Sequence, residues 1–360
     1  MSRHAALRAL MAGLRGEPPP ACDWMAVLRL ANEALVTPQL HAALAASGAI
    51  EAVPAEVRTF TAEVFERNRA RNRRLLETLA EALGALNAAG IEPVLLKGAA
   101  LWFAQGAPSP SDRLMNDLDL LVRPAEAERA TAALSAADFR VHHAYAGPKV
   151  HVVAELARPT DVGFVDLHQR APGPPGLAEA ATAQALLRPV RWRGLRALAP
   201  EPAAQVFLLV LHDQFHDGDY WRGGFTLKHL LDIAALAGGP DPVDWERVSR
   251  LASTRLARHA LEAELAAAAG LAGARVPAAL RSRWGGLQHA RHLAQFRWPG
   301  LIAPLAALAA VLEAPSLAAH RAADRRDREQ LFGESRLSAG PGERLERLRY
   351  ILDGLADGKI

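Results

Sequence analysis

Pro93-Val-Leu-Leu-Lys-Gly98 and, nineteen residues after that glycine, Asp117-Leu-Asp-Leu-Leu-Val122 decide the fold (117 − 98 = 19). Each is a short apolar run bounded by turn residues, the pattern of a buried strand rather than of a helix that must extend for ten residues or more. Gly98 opens a short helical stretch through Leu101, Trp102 and Phe103, and Gly106 to Ser111 reads as a loop. Pro124 to Ala137 has helical spacing directly after the second strand.

Working outward, further extended segments are predicted over roughly His142 to Leu156, Val162 to Gln169 and Val190 to Leu198. Before them the chain reads as helix. Asp23 is an N-cap ahead of Trp24, Val27 and Leu30, and a long helix runs from about Pro54 to Ala89 until Gly90 supplies a left-handed stop. After them, Ala203 to His216, Thr226 to Ala237, Asp244 to Ala269 and Leu301 to Leu312 read as helices. The expected architecture is α+β and mostly helical, with residues 1–90 helical, 91–199 a small mixed β-sheet core and 200–360 helical again.

The chemistry sits in the second strand. Side chains alternate along a strand, so Asp117 and Asp119 share one face, about 6–7 Å apart, while Leu118, Leu120 and Val122 take the other. At an effective dielectric near 20 such charges repel by about 2–3 kcal/mol, a penalty that a cation between them reverses. Hard carboxylate oxygens suit Mg²⁺ or Mn²⁺. Asp166, an acid inside the apolar run Val162-Gly-Phe-Val-Asp-Leu-His168, offers a third carboxylate, and His168 shares its face. Where the first strand feeds its helix, Gly98 admits a phosphate close to the backbone and Lys97 adds a positive charge.

Leu95-Leu-Lys-Gly98, Arg113, Asp117-Leu-Asp-Leu-Leu-Val122 and Val165-Asp-Leu-His168 together resemble the uncharacterised bacterial nucleotidyltransferase family of the polymerase-beta-like superfamily. Asp23-Trp-Met-Ala-Val-Leu28, Arg67-Asn68, Arg71-Asn72, Lys228-His-Leu-Leu-Asp232 and Asp244-Trp245 extend the resemblance over residues 22–260. It implies a polymerase-beta-like core that uses a nucleoside triphosphate (NTP) and a divalent metal to transfer a nucleoside monophosphate, AMP by default, to an acceptor. It assigns Asp117, Asp119 and Asp166 to metal and catalysis, and Lys97, Gly98, Arg113 and His168 to the nucleotide. Ala99 stands where the wider superfamily usually has serine or glycine.

Other features have plainer readings. Lys97 has Glu92 nearby as a structural partner, and Arg67, Arg71 and Arg74 line one helix face that is expected to be solvated. His212 and His216 are one turn apart, but no third ligand is evident, so helix-capping or substrate-side roles are expected before zinc. Val94-Leu-Leu-Lys97 resembles a kinase strand lysine, yet no glycine-rich loop precedes it and no His-Arg-Asp or Asp-Phe-Gly follows. A helical scaffold around a decayed transferase core is the remaining alternative.

Composition bounds these readings. Half of the 360 residues are hydrophobic, 22% are charged and 6% aromatic, as in a globular, alanine-packed chain. A net charge of +3 gives no strong signal for nucleic acid. The lone Cys22 excludes an intramolecular disulfide and a cysteine-rich zinc site and fits a reducing cytosol. The opening MSRHAALRALMAGLRGEPPP carries arginines within its apolar run, unlike a signal peptide. Leu301 to Leu312 is too short to span a bilayer and is expected to be a buried helix. A cytoplasmic enzyme is the expectation, its partners an NTP and an unknown small-molecule or protein acceptor.

Overall fold

Gly90, at φ +72°, ends the long Ala55–Ala88 helix and turns the chain into its first strand. The strands, with ranges from the computed structural model, are β1 (Val94–Leu95), β2 (Asp117–Leu121), β3 (Arg140–Ala144), β4 (Val152–Ala157), β5 (Phe164–His168), β6 (Leu187–Trp192) and β7 (Leu195–Pro200). They form one mixed sheet in the order β3-β4-β5-β2-β1-β7-β6, with β2–β5 and β1–β7 parallel and the other pairs antiparallel. The structure describes residues 2–19, 21–104, 108, 112–145, 151–313 and 315–316. The loop expected over Gly106 to Ser111 lies outside them apart from residue 108.

Among the described residues the strands fall within the window the sequence marks out, β7 running one residue past it, and the chain is α+β. Two of the expected segments are hairpins rather than single runs. His142 to Leu156 divides into β3 and β4, and Val190 to Leu198 into β6 and β7. The second reversal places Arg193 at φ +50° and Gly194 at φ +76°, two consecutive left-handed residues that match the twist of a tight hairpin. An arginine in the first position hides the turn from a composition-based reading.

Alternation along β2 feeds two cores. Leu118, Leu120 and Val122 join Leu75, Leu79 and Leu83 of the long helix, together with Val165 and Leu167 of β5. Leu121 points the other way, into a core built from both ends of the chain: Leu7, Leu10, Leu30 and Leu40 pack with Phe207, Leu230 and Leu261. Each fully buried leucine contributes about 1.5–3 kcal/mol of transfer free energy. The opening segment is thus a core helix, Arg3–Leu14. Asp117 and Asp119 lie on the Leu121 face of the sheet, on the side of the C-terminal helices.

Three helical expectations need correction. Ala203 to His216 is an α-helix only over Pro202–Val210, and a π-helical turn, Leu211–His216, follows. Asp244 to Ala269 is two helices, Trp245–Leu251 and Arg255–Ala272, the second capped by the Thr254 hydroxyl, which accepts from the Ala257 amide. The Ile302–Leu312 helix is not buried: Leu308, Val311 and Leu312 are 52%, 71% and 57% exposed, and only Ala306 and Ala309 of its side chains are enclosed. Among the described residues no helix is long and apolar enough to cross a membrane.

Candidate active site

β2 and β5 run parallel, and the register sets Asp117 beside Phe164, Asp119 beside Asp166 and Leu121 beside His168. Neighbouring strands lie about 4.8 Å apart and paired residues of a parallel ladder point to the same side. The register therefore aligns Asp119 with Asp166 and places Asp117 and His168 on that same face. Ligand atoms of Asp119, Asp166 and His168 lie within 4.8 Å of one another, a set able to hold a cation. Asp117, one pleat earlier, is not part of that tight group but acts electrostatically on Asp166 and on Lys97.

Asp119 is almost completely buried and doubly held. Its Oδ1 lies 2.7 Å from Lys97 Nζ and 2.9 Å from His168 Nε2. Burial by itself would raise its carboxyl, but the Lys97 ammonium and the His168 imidazole outweigh burial and keep it well below the usual carboxylate range. Burial acts on Lys97 in the opposite sense, and the carboxylates of Asp119 and Asp117 carry it above the ordinary lysine value. For Asp166 the Lys97 charge offsets only part of the opposing effects. Burial, then the charges of Asp117 and Asp119, push it up to about 7. A buried carboxyl crowded by two further acids suits a bound cation, and the oxygen-rich donor set fits a hard divalent ion.

The first strand and its helix position Lys97. Lys97 is the first residue of the Lys97–Trp102 helix and adopts φ +46°, a left-handed conformation costly for a residue with a Cβ. Its partner is Asp119; Glu92, the structural alternative, pairs with Arg191 instead. Gly98 is required by packing. A Cβ there would stand 2.1 Å from Met115 Sδ and 2.6 Å from an Arg113 nitrogen. Ala99 is fully buried in the core beneath this turn.

The approach to Asp117 is fastened from two sides. Asn68 and Asn72, successive turns of the long helix, donate from Nδ2 to the carbonyls of Asp112 and Arg113 at 3.0 and 2.9 Å. Arg71 donates from Nε to the Met115 carbonyl at 2.8 Å, and Arg74 to the Thr160 carbonyl at 2.9 Å. Of the basic face expected to be solvated, Arg67 and Arg74 are exposed, Arg67 pairing with Glu63, and Arg71 is partly enclosed. From the other side Arg113 is buried against Asp232, donating from Nε to both carboxylate oxygens at 3.0 and 2.9 Å. Lys228, one turn before Asp232, is held below the ordinary lysine value by burial, with Arg113 adding to the effect and Asp117 opposing it.

Several residues near the acids had no local signal in the sequence. The His151 ring lies 5.6 Å from that of His168 and 4.6 Å from that of His216, joining the sheet to the π-helical turn. Burial and then the His216 charge hold His151 down to about 3. Only the fold brings a histidine before β4 against one that ends a helix 65 residues later (216 − 151 = 65).

Comparison with known proteins adds the following. No curated protein matches the sequence. Among solved structures, the antibiotic-resistance factor ANT(2'')-Ia aligns with 61% of this chain and 98% of its own, at 14% identity and a TM-score of 0.31, a likeness too slight to build upon. The model of the uncharacterised nucleotidyltransferase family matches residues 20–273, a span from the second helix through the end of the Arg255–Ala272 helix that includes the whole sheet and its acids, and the chain belongs to that family.

Proposed function

We propose that the chain transfers a nucleoside monophosphate, AMP by default, from an NTP to a hydroxyl of a small-molecule or protein acceptor, with release of pyrophosphate. The observation that carries this reading is the in-register pairing of Asp119 with Asp166, on a face shared with Asp117, in a nucleotidyltransferase-family chain.

Asp117, Asp119 and Asp166 are the residues to hold divalent metal. When bound, that metal supplies Lewis-acid neutralisation of the triphosphate and of the charge developing in transfer. Lys97 fixes Asp119 in its ionised form and places a positive charge at the strand-to-helix turn, where phosphate oxygens gather. His168 orients the same carboxylate through the same Oδ1. In the transfer, the acceptor oxygen bonds to the α-phosphorus as the bond from that phosphorus to pyrophosphate breaks. The hydroxyl proton passes to a carboxylate of the site, and Asp166, aligned beside Asp119, is placed to take it. Arg113 serves this reading through Asp232, as a positioning residue for the segment that enters β2.

Melting the protein with ATP, CTP, GTP or UTP, each with and without Mg²⁺, tests whether the site is alive. A bound nucleotide at one hundred times its Kd stabilises the fold by about 2.7 kcal/mol. A metal-dependent shift with at least one nucleotide supports transfer. Unchanged melting with all four sinks it in favour of a scaffold with a decayed core.

A further inference from the structure

The π-helical turn Leu211–His216 places chemistry that transfer by the three aspartates does not use. In such a turn the hydrogen bond spans five residues, and the Asp217 amide donates to the His212 carbonyl at 2.9 Å. The widened turn sets both His216 and Asp217 beneath His212. In a regular α-helix the third and fourth residues along take that place, and the fifth does not. Ligand atoms of His212, His216 and Asp217 lie within 4.8 Å of one another. π-turns are rare and recur at functional sites, because their geometry is retained only where something rewards it.

We propose that His212, His216 and Asp217 form a second metal site, selective for an imidazole-preferring divalent ion such as Zn²⁺ or Co²⁺ over Mg²⁺.

The donor set decides the metal class. Two imidazoles and one carboxylate suit zinc and its neighbours, whereas Mg²⁺ takes oxygen ligands and keeps its waters. His212 Nδ1 stands 3.3 Å from Asp217 Oδ2. Two ligands on one tetrahedral ion at 2.0–2.1 Å are about 3.4 Å apart. His212 and Asp217 therefore already have the spacing, and His216, exposed at the surface, has freedom to draw in. Three protein ligands leave a fourth position open to water.

The surroundings supply what such a site needs behind its ligands. Asp213 is fully buried and accepts at Oδ1 from His229 Nδ1 at 2.7 Å, while His212 Nδ1 lies 3.2 Å from the same oxygen. His212, Asp213 and His229 form a second possible triad. Asp213 and His229 are closed off from solvent and place a buried acid behind the site; the Asp213 contact is to the same His212 Nδ1 that faces Asp217, so a bound metal replaces it. Asp219 and Glu264 add further acidic groups within electrostatic reach of Asp213. The ring chain from His216 through His151 to His168 puts this site next to the aspartates while keeping its ligands distinct from them.

The site is tested on the full, metal-stripped chain without nucleotide, in buffer with excess Mg²⁺ to occupy the aspartates. Titration with Co²⁺ is followed by visible absorption, with Zn²⁺ as competitor. One equivalent of Co²⁺ with the strong bands of tetrahedral coordination, displaced by Zn²⁺, is expected. His216→Ala and Asp217→Asn, both at accessible positions, should each lower affinity by ~100-fold or more. Asp119→Asn should leave the uptake unchanged. No stoichiometric uptake by the wild type overturns the proposal, and so does uptake that survives in both His216→Ala and Asp217→Asn. Uptake lost in Asp119→Asn but kept in His216→Ala assigns the ion to the aspartates and equally overturns it. Nucleotide transfer is read by separate assays, so failure of this site leaves the transfer reading standing.

Discussion

Lys97 Nζ meets Asp119 Oδ1 at 2.7 Å from a backbone held at φ +46°. The strain and the contact belong together. A left-handed first residue starts the Lys97–Trp102 helix and turns the lysine back across β1 onto β2. Strained backbone of this kind costs about 1–3 kcal/mol and persists where the surrounding structure over-determines it.

Lys97→Gly and Lys97→Ala separate these two contributions. Both remove the ammonium, so both should lose transfer by on the order of 100-fold or more, the scale of deleting one preorganised charge stabiliser. Glycine relieves the left-handed backbone and alanine does not. Urea unfolding should find Lys97→Gly more stable than Lys97→Ala by about 1 kcal/mol. Equal stabilities would show that the backbone is not strained there.

Arg113 and Asp232 form an almost fully buried pair, with 6% and 4% of their side chains exposed. Removing one partner leaves the other charge uncompensated, which costs about 3–5 kcal/mol. Arg113→Met and Asp232→Leu are each expected to lower stability by that amount. The double variant should recover much of the loss, since two apolar side chains leave no orphan charge. Additive losses in the double-mutant cycle would refute the pairing.

Asn72 is buried, and its Nδ2 holds the Arg113 carbonyl. Asn72→Ala leaves that acceptor without this donor, at a cost of about 1–3 kcal/mol. Because the released segment leads into Asp117, transfer should fall further than stability alone explains. Assays well below the melting temperature separate the two, and a variant with normal turnover would confine Asn72 to a structural role.

Asp166 sets a pH signature for the metal-free protein. Its folded value is raised from 3.8 to about 7, so the folded state binds this proton more tightly than the unfolded chain. Stability from this group is complete below pH 3.8 and is lost as pH rises towards 7. Relative to Asp166→Asn, the wild type should lose stability across that window in EDTA. Parallel stability-pH curves for the two proteins would remove the basis for a raised Asp166. Divalent metal should flatten the wild-type curve, because it replaces the proton as the source of positive charge.

How much was legible in the sequence follows from which interactions are local. The strand window and the shared face of Asp117 and Asp119 follow from alternation within five residues, and β2 obeys it. The chain-reversing Arg193-Gly194 turn escaped because its first left-handed residue is an arginine. That Met115 and Arg113 occupy the space where a Gly98 side chain would go was not legible, because neither contact is local in sequence. Arg71 looked solvated on helical spacing, yet its partner is a carbonyl 44 residues away. The spacing of His212 and His216 was visible, but the π-turn that adds Asp217 was not, because one extra residue in a turn leaves no mark on composition.

The central claim is that the aspartates of β2 and β5 carry metal-dependent nucleotidyl transfer. Its most direct test incubates the full chain with each α-labelled NTP, Mg²⁺ or Mn²⁺ and a host-cell extract as acceptor pool, and measures pyrophosphate release with label transfer. The wild type is predicted to release pyrophosphate stoichiometrically with labelled product, only with metal, and Asp117→Asn, Asp119→Asn and Asp166→Asn to abolish both. Aspartate variants within about tenfold of wild type, a barrier change near 1.4 kcal/mol, or metal-independent transfer would contradict the account.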